Sequence, residues 1–332
     1  MKSKKLLRVV CLSLCVNLFF SSSTYAQQSQ HSHSKRAKLS KKITKLGGNP
    51  SDINYFEEDQ LEDLYNSELV SISTTYYSVD DETGESKKLT DEQVDDLSLD
   101  KISNEDEFME VNGSKMNNPK SRAGLVDWDG SKSSDGYLQN TMYLYSTPTK
   151  NVYNVSYHAT WLKQPKNTKI DIAAIVWRDN CAIVKKSFNA TRYVDYTVET
   201  YKYSFGKYKL KSSTVKKEFS YLNAPTKQSS TGVAYKYPLY KKSSTKKDNA
   251  QTIVDKIPKN QRIVISGKIL LDDKNRTTIQ AHSLYKHQYL ALSVSPCISG
   301  ISFSAGLSIN YSYCFEDLDP NALVSYKATY KK

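Results

Sequence analysis

From residue 125 to the C-terminus, apolar and polar residues alternate in one stretch after another, and this pattern constrains the fold more than any other feature. Alternation with a period of two places one set of side chains on each face of an extended strand. Turn-forming residues separate these stretches at short intervals. The sequence therefore predicts a mainly β fold, an antiparallel β-sandwich of about eight to ten strands. In VYNVSYHATWL the apolar set shares one face: Tyr153, Val155, Tyr157, Ala159 and Trp161.

Three further stretches predict where strands and turns lie. IDIAAIVW is almost continuously apolar, which is typical of a central strand covered on both faces. YVDYTVETYKYSFGKYKLK alternates around an expected turn at Gly206–Lys207, and DDKN is an expected hairpin turn between QRIVISGKILL and TTIQAHSLYK. The composition agrees, because 25 Tyr against 9 Phe and 3 Trp suits half-buried strands that pack the ring and leave the hydroxyl in water.

Residues 288–315 contain no Asp, Glu, Lys or Arg, and within them ISFSAGLSINYSY alternates without interruption. Two interpretations fit this stretch: one wall of a soluble β core, or an uncharged hairpin of the kind that a pore-forming toxin inserts into lipid. A two-residue turn at Ala305–Gly306 would oppose Phe303 to Ser308 and mix apolar with polar residues on each face. The sequence therefore favours one long strand over that hairpin.

The first 26 residues have the pattern of a secretory signal peptide. A basic start precedes an apolar run from Val9 to Phe20, and Thr24 and Ala26 place small residues where a signal peptidase reads them. We expect the mature chain to begin at Gln27. Because the C-terminal YKATYKK has no apolar tail, we expect the protein to be released outside the cell.

Three cysteines remain after the expected signal peptide: Cys181, Cys297 and Cys314. An odd number outside the cell allows at most one internal disulfide and leaves one thiol. The spacing does not decide which two cysteines pair. The core must therefore be stabilised mainly by apolar burial rather than by disulfides.

The net charge of +12 is divided unevenly along the chain. Residues 1–50 contain ten Lys or Arg and no acid, whereas residues 51–110 contain 20 Asp or Glu against 3 Lys. Residues 111–332 contain 34 Lys or Arg against 15 acids. This division predicts a basic flexible arm at 27–50, an acidic segment at 51–115 and a basic, Tyr-rich β-sandwich domain at 116–332.

The acidic segment has its own apolar pattern, which predicts a small, partly helical α/β unit. Ser51 is a candidate cap for a helix in NPSDINYFEEDQLEDLYNSEL, and Thr90 for a second helix in LTDEQVDDLSLD. LVSISTTYYSV, between them, predicts a strand. The unit is either a pro-region that covers the basic domain until it is removed, or a subdomain without that role.

No residue pattern identifies a reaction, a cofactor or a metal. DWDGSKSSDG at 127–136 comes nearest to a calcium loop, but Lys132 stands where that loop needs glycine. We therefore expect a protein that is not an enzyme and carries no cofactor. The histidines lack the spacing of a catalytic or metal site: His31, His33, His158, His282 and His287.

Two stretches interleave lysine with tyrosine, KYKLKSSTVKKEF and YKYPLYKKSSTKK. Lysine acts as a point charge, so these stretches predict charge-driven binding of low specificity to an anionic cell-wall polymer or membrane surface. Export argues against nucleic acid as the partner. The candidate binding residues are Tyr201, Lys202, Tyr203, Lys207, Tyr208, Lys209, Tyr235, Lys236, Tyr237, Tyr240, Lys241 and Lys242.

The leading hypothesis is a secreted, non-enzymatic β-sandwich protein that binds an anionic polymer or membrane at a cell surface. In this hypothesis the acidic segment masks or tunes the Tyr/Lys stretches. The alternative is a membrane-active, pore-forming toxin-like protein that uses residues 288–315.

Overall fold

The computed structural model describes residues 34–46, 48–67, 69–80, 86–96, 136–165, 170–222, 224–288, 298–302, 308–311, 315–317, 322–328 and 330. This part of the chain is mainly β, with antiparallel sheets and few helices, which confirms the predicted fold class. None of its helices is long and apolar enough to cross a membrane.

Two large sheets and a two-stranded pair make up the β structure. Sheet A runs in the spatial order β2 (Ser86–Lys88), β1 (Leu69–Val79), β3 (Gly136–Ser146), β4 (Val152–Lys163), β12 (Thr252–Leu271), β7 (Asn189–Ser204) and β8 (Lys207–Leu222), and β6 (Cys181–Ile183) and β11 (Ser243–Lys247) also pair with β12. Sheet B runs β16 (Phe315–Asp317), β13 (Thr278–Gln288), β5 (Ile170–Trp177), β10 (Gly232–Pro238) and β9 (Lys227–Ser229), and β17 (Leu323–Lys327) also pairs with β13. The separate pair is β14 (Ile298–Ser302) with β15 (Ser308–Tyr311).

The number of long strands agrees with the prediction. Nine of the 17 described strands are seven residues or longer, within the expected eight to ten. The other eight are three to five residues long, too short to show alternation in the sequence.

The apolar core lies between sheets A and B. The predicted face of β4 is confirmed, since its alternate residues from Tyr153 to Trp161 all belong to this core. The prediction for β5 is also confirmed, because every residue from Asp171 to Trp177 is buried. Gly267 of β12 is required by this packing, because a Cβ there would come within 2.3 Å of the Phe188 ring.

The N-terminal segment packs on the face of sheet A that points away from the core. It consists of helix α1 (34–45), a 3₁₀ turn (Pro50–Tyr55) and helix α2 (Glu58–Asn66). Together with Tyr143 and Tyr145 of β3, its apolar side chains form a second buried cluster. These side chains are Leu39, Ile43, Ile53, Phe56, Leu61 and Leu64.

Helix α1 corrects the prediction of a flexible arm at 27–50. Leu39 and Ile43 are four residues apart, so they lie on one helix face and are buried, while between them Lys41 is exposed and Lys42 donates to the carbonyl of Ser67. Lys35 pairs with Glu62 and Arg36 with Glu58, each at 2.7 Å. The arm was predicted to be flexible because its many lysines obscured this two-residue apolar stripe.

The expected local structure of the acidic segment is largely confirmed. β1 matches the predicted strand, and α3 (Asp91–Asp96) begins after Thr90, whose hydroxyl accepts from the N–H of Gln93 at 3.2 Å. The cap of the 3₁₀ turn is Asn49 rather than Ser51, because the Asn49 side chain accepts from the N–H of Ser51. β1 pairs with β3 from Leu69 to Val79, inside sheet A. The acidic and basic parts of the chain therefore share one sheet.

Two expectations about turns need correction. DDKN is not a hairpin turn, because β12 belongs to sheet A and β13 to sheet B. The turn predicted at Gly206–Lys207 lies one residue earlier, at Phe205–Gly206.

The stretch 298–311 is not one continuous strand where the structure describes it. β14 and β15 pair as a hairpin that opposes Ile301 to Ile309 and Ser302 to Ser308. This register is offset by one residue from the two-residue turn considered above, and it keeps like residues on one face. Residues 303–307, between the two strands, lie outside the described part of the chain.

Candidate anion-binding surface

Sheet A continues beyond the sandwich as a four-stranded ribbon, defined here as residues 197–215 and 243–257. From Arg262 to Leu270, β12 pairs with β4, whereas from Thr252 to Lys256 it pairs with β11. β7 and β8 extend alongside it as a long hairpin. Burial decreases along β12 from the sandwich towards Thr252. Residues 261–267 are buried, whereas residues 253–257 are only half-buried. The ribbon therefore projects from the sandwich into solvent.

Two turns meet at the tip of the ribbon: Phe205–Gly206 between β7 and β8, and residues 248–251 between β11 and β12. The N–H of Tyr203 donates to the carbonyl of Gln251 at 2.8 Å, and the hydroxyl of Tyr208 donates to the carbonyl of Ala250. These bonds tie the two turns into one structure.

Both turns contain non-glycine residues in the left-handed backbone region. Phe205 has a φ of 51°, and Asp248, Asn249 and Ala250 have φ values of 53°, 52° and 67°. Bulky residues rarely adopt this conformation, and such outliers concentrate at functional sites. Phe205 is also 94% exposed, so packing does not explain its presence. The tip therefore combines left-handed turn residues with an exposed apolar ring.

One face of the ribbon is basic. In the register, Lys202 lies opposite Lys209, and Thr252 lies opposite both Lys202 and Lys247. Residues that face each other across strands share a sheet face, and Lys207 lies two positions from Lys209 on that same face. We call Lys202, Lys207, Lys209 and Lys247 the lysine face.

The opposite face of the ribbon carries aromatic and aliphatic residues near the tip, together with Lys246 opposite Ile253 and, further from the tip, Glu199 opposite Asp255. Tyr201 lies opposite Leu210 and Ile253, and Tyr203 lies opposite Tyr208. The Tyr203 and Tyr208 rings pack edge to face, with centroids 5.3 Å apart. We call Tyr201, Tyr203, Tyr208, Leu210 and Ile253 the aromatic face. The sequence showed that Lys and Tyr interleave, but only the hairpin register shows that they separate onto two faces.

The lysine face holds Lys202 directly opposite Lys209, and one acid lies near it: Asp248 at the tip accepts from the hydroxyl of Thr252, which lies between Lys202 and Lys247, at 3.0 Å. Directly opposed like charges destabilise a pair of strands. Among the described residues, no carboxylate lies within ion-pair distance of Lys202, Lys207, Lys209 or Lys247, whereas Lys242 pairs with Asp255 and Lys256 with Glu218 elsewhere on the ribbon. A polyanion bound on this face would relieve the repulsion.

The second group of candidate binding residues does not form a surface. Tyr235 and Tyr237 are buried in the core on β10, and the Tyr237 hydroxyl bonds to the Tyr285 hydroxyl at 2.8 Å. Their prediction as binding residues is wrong, because β10 lies inside sheet B and its alternate residues face the core. Lys236 is half-buried in the same strand.

The remaining candidates lie at the start of β11, away from the tip. The ring of Tyr240 is half-buried beneath the Arg192 guanidinium, at 4.6 Å from the ring centroid. Lys241 and Lys242 are exposed, and Lys242 is already paired with Asp255. The structure therefore brings together the six candidates between 201 and 209 and separates them from the other six.

A buried polar cluster fixes the N-terminal segment to sheet A. Asp52 in the 3₁₀ turn accepts from the Arg262 guanidinium at 2.7 Å and from the Tyr143 hydroxyl at 2.5 Å. The guanidinium also lies 3.7 Å from the centroid of the Tyr55 ring. Nearby, Asp63 of α2 pairs with Lys268 at 2.9 Å. These acids of the segment therefore bind β12 within the sandwich, not the lysine face of the ribbon.

His158 completes this cluster, and together with Ser156 it has a superficial likeness to a hydrolase triad. Ser156 Oγ lies 3.1 Å from His158 Nε2, but His158 Nδ1 lies 3.9 Å from the Asp52 carboxylate. All three side chains are buried, and burial, with Arg262 nearby, lowers the pKa of His158 to about 4 despite Asp52. Because no substrate can reach Ser156, we assign these residues a structural role.

A second buried polar network lies inside the sandwich core. Asp171 accepts from Trp161 Nε1 at 3.0 Å and from the Tyr285 hydroxyl, and its other oxygen lies 2.7 Å from His287 Nδ1. Burial, followed by the charge of Asp171, raises the pKa of Tyr285 well above its usual value. Each of these buried side chains has a hydrogen-bond partner within the network. This arrangement is typical of a structural network in a core rather than of a ligand-binding or catalytic site.

Other sequence candidates remain without a role. Cys181 is a free, buried thiol, and burial raises its pKa to about 12. Cys297 and Cys314, the DWDGSKSSDG loop, His31 and His33 all lie outside the described residues. Within those residues, no group of three His, Cys, Asp or Glu side chains is arranged to hold a metal ion.

Two exposed residues of the tip were not among the sequence candidates. Phe205 sits beside Gly206, and an apolar residue next to a turn glycine was the available signal. Lys247 ends the Lys/Tyr stretch YKYPLYKKSSTKK, but its place on the lysine face follows only from the register of β11 on β12.

Comparisons with known proteins do not identify a family. No family model and no curated protein matches this chain. Among solved structures, the Clostridium perfringens delta-toxin matches over 47% of this chain and 74% of its own, at 9% identity and a TM-score of 0.20. The collagen-binding domain of a Staphylococcus aureus adhesin matches over 40% and 74%, at 10% identity and a TM-score of 0.16.

A third structure, the Clostridium perfringens NetB toxin in its membrane-inserted form, matches over 57% of this chain and 88% of its own. Its identity is 7% and its TM-score 0.16. Similarities at these scores carry no argument about function, and the account below depends on the geometry of this chain alone.

Proposed function

We propose that this chain is a secreted, non-enzymatic protein that binds a densely anionic surface outside the cell through the lysine face of the ribbon. The observation that carries the proposal is a group of four exposed lysines on β7, β8 and β11, two of them directly opposed, with no described acid within ion-pair distance. Lysines close to an anionic surface each contribute about 1 kcal/mol to binding.

The proposal assigns the acidic segment a different role from the masking role considered above. Its strand β1 is paired along β3, and its helices cover the outer face of sheet A. Removing it would expose this face and the edge of β3. We therefore propose that the segment is a permanent part of the working protein rather than a pro-region.

The pore-forming alternative depends on residues 288–315, most of which lie outside the described part of the chain. The backbone pairing of β14 with β15 is compatible with a soluble hairpin and with an inserted one. No specific observation on the described residues favours insertion of this stretch.

Replacing the lysine face tests the proposed function. We expect the variant K202Q/K207Q/K209Q/K247Q to elute from a heparin or polyphosphate column at a markedly lower salt concentration than the wild type. On anionic vesicles at low salt its affinity should fall by a hundredfold or more, since four contributions of about 1 kcal/mol are lost. The affinity of the wild type should itself fall steeply with added salt.

A matched control removes the same charge elsewhere. K87Q/K88Q/K185Q/K186Q replaces four exposed lysines of β2 and of the turn after β6. This variant should bind almost as well as the wild type. If both quadruple variants lose the same affinity, binding follows net charge and the lysine face has no special role.

A further inference from the structure

We propose that the anionic surface is a lipid bilayer and that the ribbon enters it tip-first, with Phe205 as the inserted residue. This inference rests on the proposed function and adds to it the class of partner and the orientation. Three observations carry it: the exposure of Phe205, the separation of the ribbon into two faces, and the projection of the tip.

Phe205 is the most exposed large apolar side chain of the described chain, at 94%. The Lys209 ammonium lies 5.8 Å from the centroid of its ring. A hydrated polymer would leave a protruding ring in water and gain little from it. A bilayer offers that ring an apolar environment while the ammonium remains among the headgroups, as lysines do at membrane interfaces.

The two faces of the ribbon match the two zones of a membrane interface. Tyr201, Tyr203 and Tyr208 present rings with polar hydroxyls, which favour the boundary between headgroups and acyl chains. The lysine face, on the other side, presents its charges to anionic headgroups. An oblique entry of the tip places the aromatic face towards the lipid and the lysine face towards the phosphates.

The shape of the tip suits a planar partner. Phe205 stands on a convex turn, and a Cβ added to the adjacent Gly206 would meet nothing within 4 Å. A protein partner would need a pocket to receive such a ring, whereas a fluid bilayer adapts to it. The hydrogen bonds that join the two turns hold the tip together during entry.

The inference predicts a shallow insertion. Interfacial elements bury their apolar side chains about 5–10 Å into the boundary. Phe219 lies ten residues beyond Lys209 on β8, about 33 Å further along the strand, and should stay in water. The side chain of Phe219 is 60% exposed, so it offers a matched position on the same strand.

The test uses tryptophan as a depth probe in the full-length mature chain. F205W and F219W are each mixed with phosphatidylglycerol-containing vesicles whose acyl chains carry bromine, and the wild type supplies the background of the native tryptophans. We expect a blue shift and strong quenching for F205W and no change for F219W. F205N, which adds no charge and suits the left-handed backbone at this position, should bind these vesicles ten- to a hundredfold more weakly, because an inserted apolar ring is lost.

The polyanion column separates failure of this inference from failure of the proposed function. If F205N and the wild type elute from heparin at the same salt concentration while only F205N binds the vesicles more weakly, both proposals hold. If vesicles are bound with no quenching of F205W, or with equal quenching of F219W, the bilayer inference is overturned and anion binding stands. If neither vesicles nor column retain the wild type, both proposals are overturned.

Discussion

Replacing Asp52 with alanine is expected to cost about 3–5 kcal/mol in the free energy of unfolding, because it leaves a buried guanidinium without its counter-ion. Arg262 is 7% exposed, and Asp52 is its ion-pair partner at 2.7 Å. Burial alone would lower the pKa of Arg262, but Asp52 and the neighbouring phenols outweigh it and raise that pKa. Arginine is not deprotonated in folded proteins, so the guanidinium stays charged in the variant. Denaturant unfolding of D52A and the wild type at pH 7 measures the cost.

A double variant separates the charge from the packing. In D52A/R262M both charges are removed and the aliphatic side chain still packs beneath Tyr55, so the double variant should be more stable than D52A. If D52A costs less than about 1 kcal/mol, or if the double variant is the less stable of the two, the buried pair does not hold the N-terminal segment in place.

The second large effect is a loss of stability in mild acid that depends on His158. Burial lowers the pKa of His158 from an ordinary value of 6.5 to about 4. The unfolded state therefore binds a proton in a pH range where the folded state does not. The contribution of His158 to the free energy of unfolding is fully present above about pH 6.5. It is lost as the pH falls towards 4, by about 3 kcal/mol in total.

The matched variant is H158F, which removes the titration and keeps a ring at the site. The imidazole lies between the rings of Phe56 and Tyr143, at 4.8 and 5.0 Å, so a phenyl group fits the same packing. We expect H158F to lose less stability than the wild type between pH 7 and pH 4.5. The other acid-sensitive groups are common to both proteins and cancel in this comparison. Equal losses would show that the pKa of His158 is the same in the folded and unfolded states.

The fold was predictable wherever a single element carries its own pattern. The core face of β4 follows from strict alternation, and the start of α3 from the Thr90 cap. Helix α1 was missed because two buried residues, Leu39 and Ile43, are a weak signal among many lysines. The path of residues 272–277 between the two sheets was missed because a turn sequence does not reveal whether its strands pair.

The candidate site was predictable only in part, because packing and register depend on contacts between residues that are distant in the chain. Composition located the Tyr/Lys stretches, but it could not distinguish Tyr203 on the ribbon from Tyr237 in the core. The two residues differ in what packs on their strands, and that is set by contacts far away in the chain. The separation of lysine and tyrosine onto two faces depends on cross-strand register, which no local pattern in this sequence specifies.

Amide hydrogen exchange tests whether the ribbon binds an anionic bilayer through its tip. Exchange is measured on residues 27–332 with phosphatidylglycerol vesicles and with neutral vesicles. If the tip contacts the bilayer, exchange on the anionic vesicles should be slower at residues 203–211 and 248–252, including the outward-facing amides of the edge strand β8. Residues 153–161, within the sandwich, should be unchanged. Protein that is bound to the vesicles but shows slowed exchange only outside the ribbon would contradict the account.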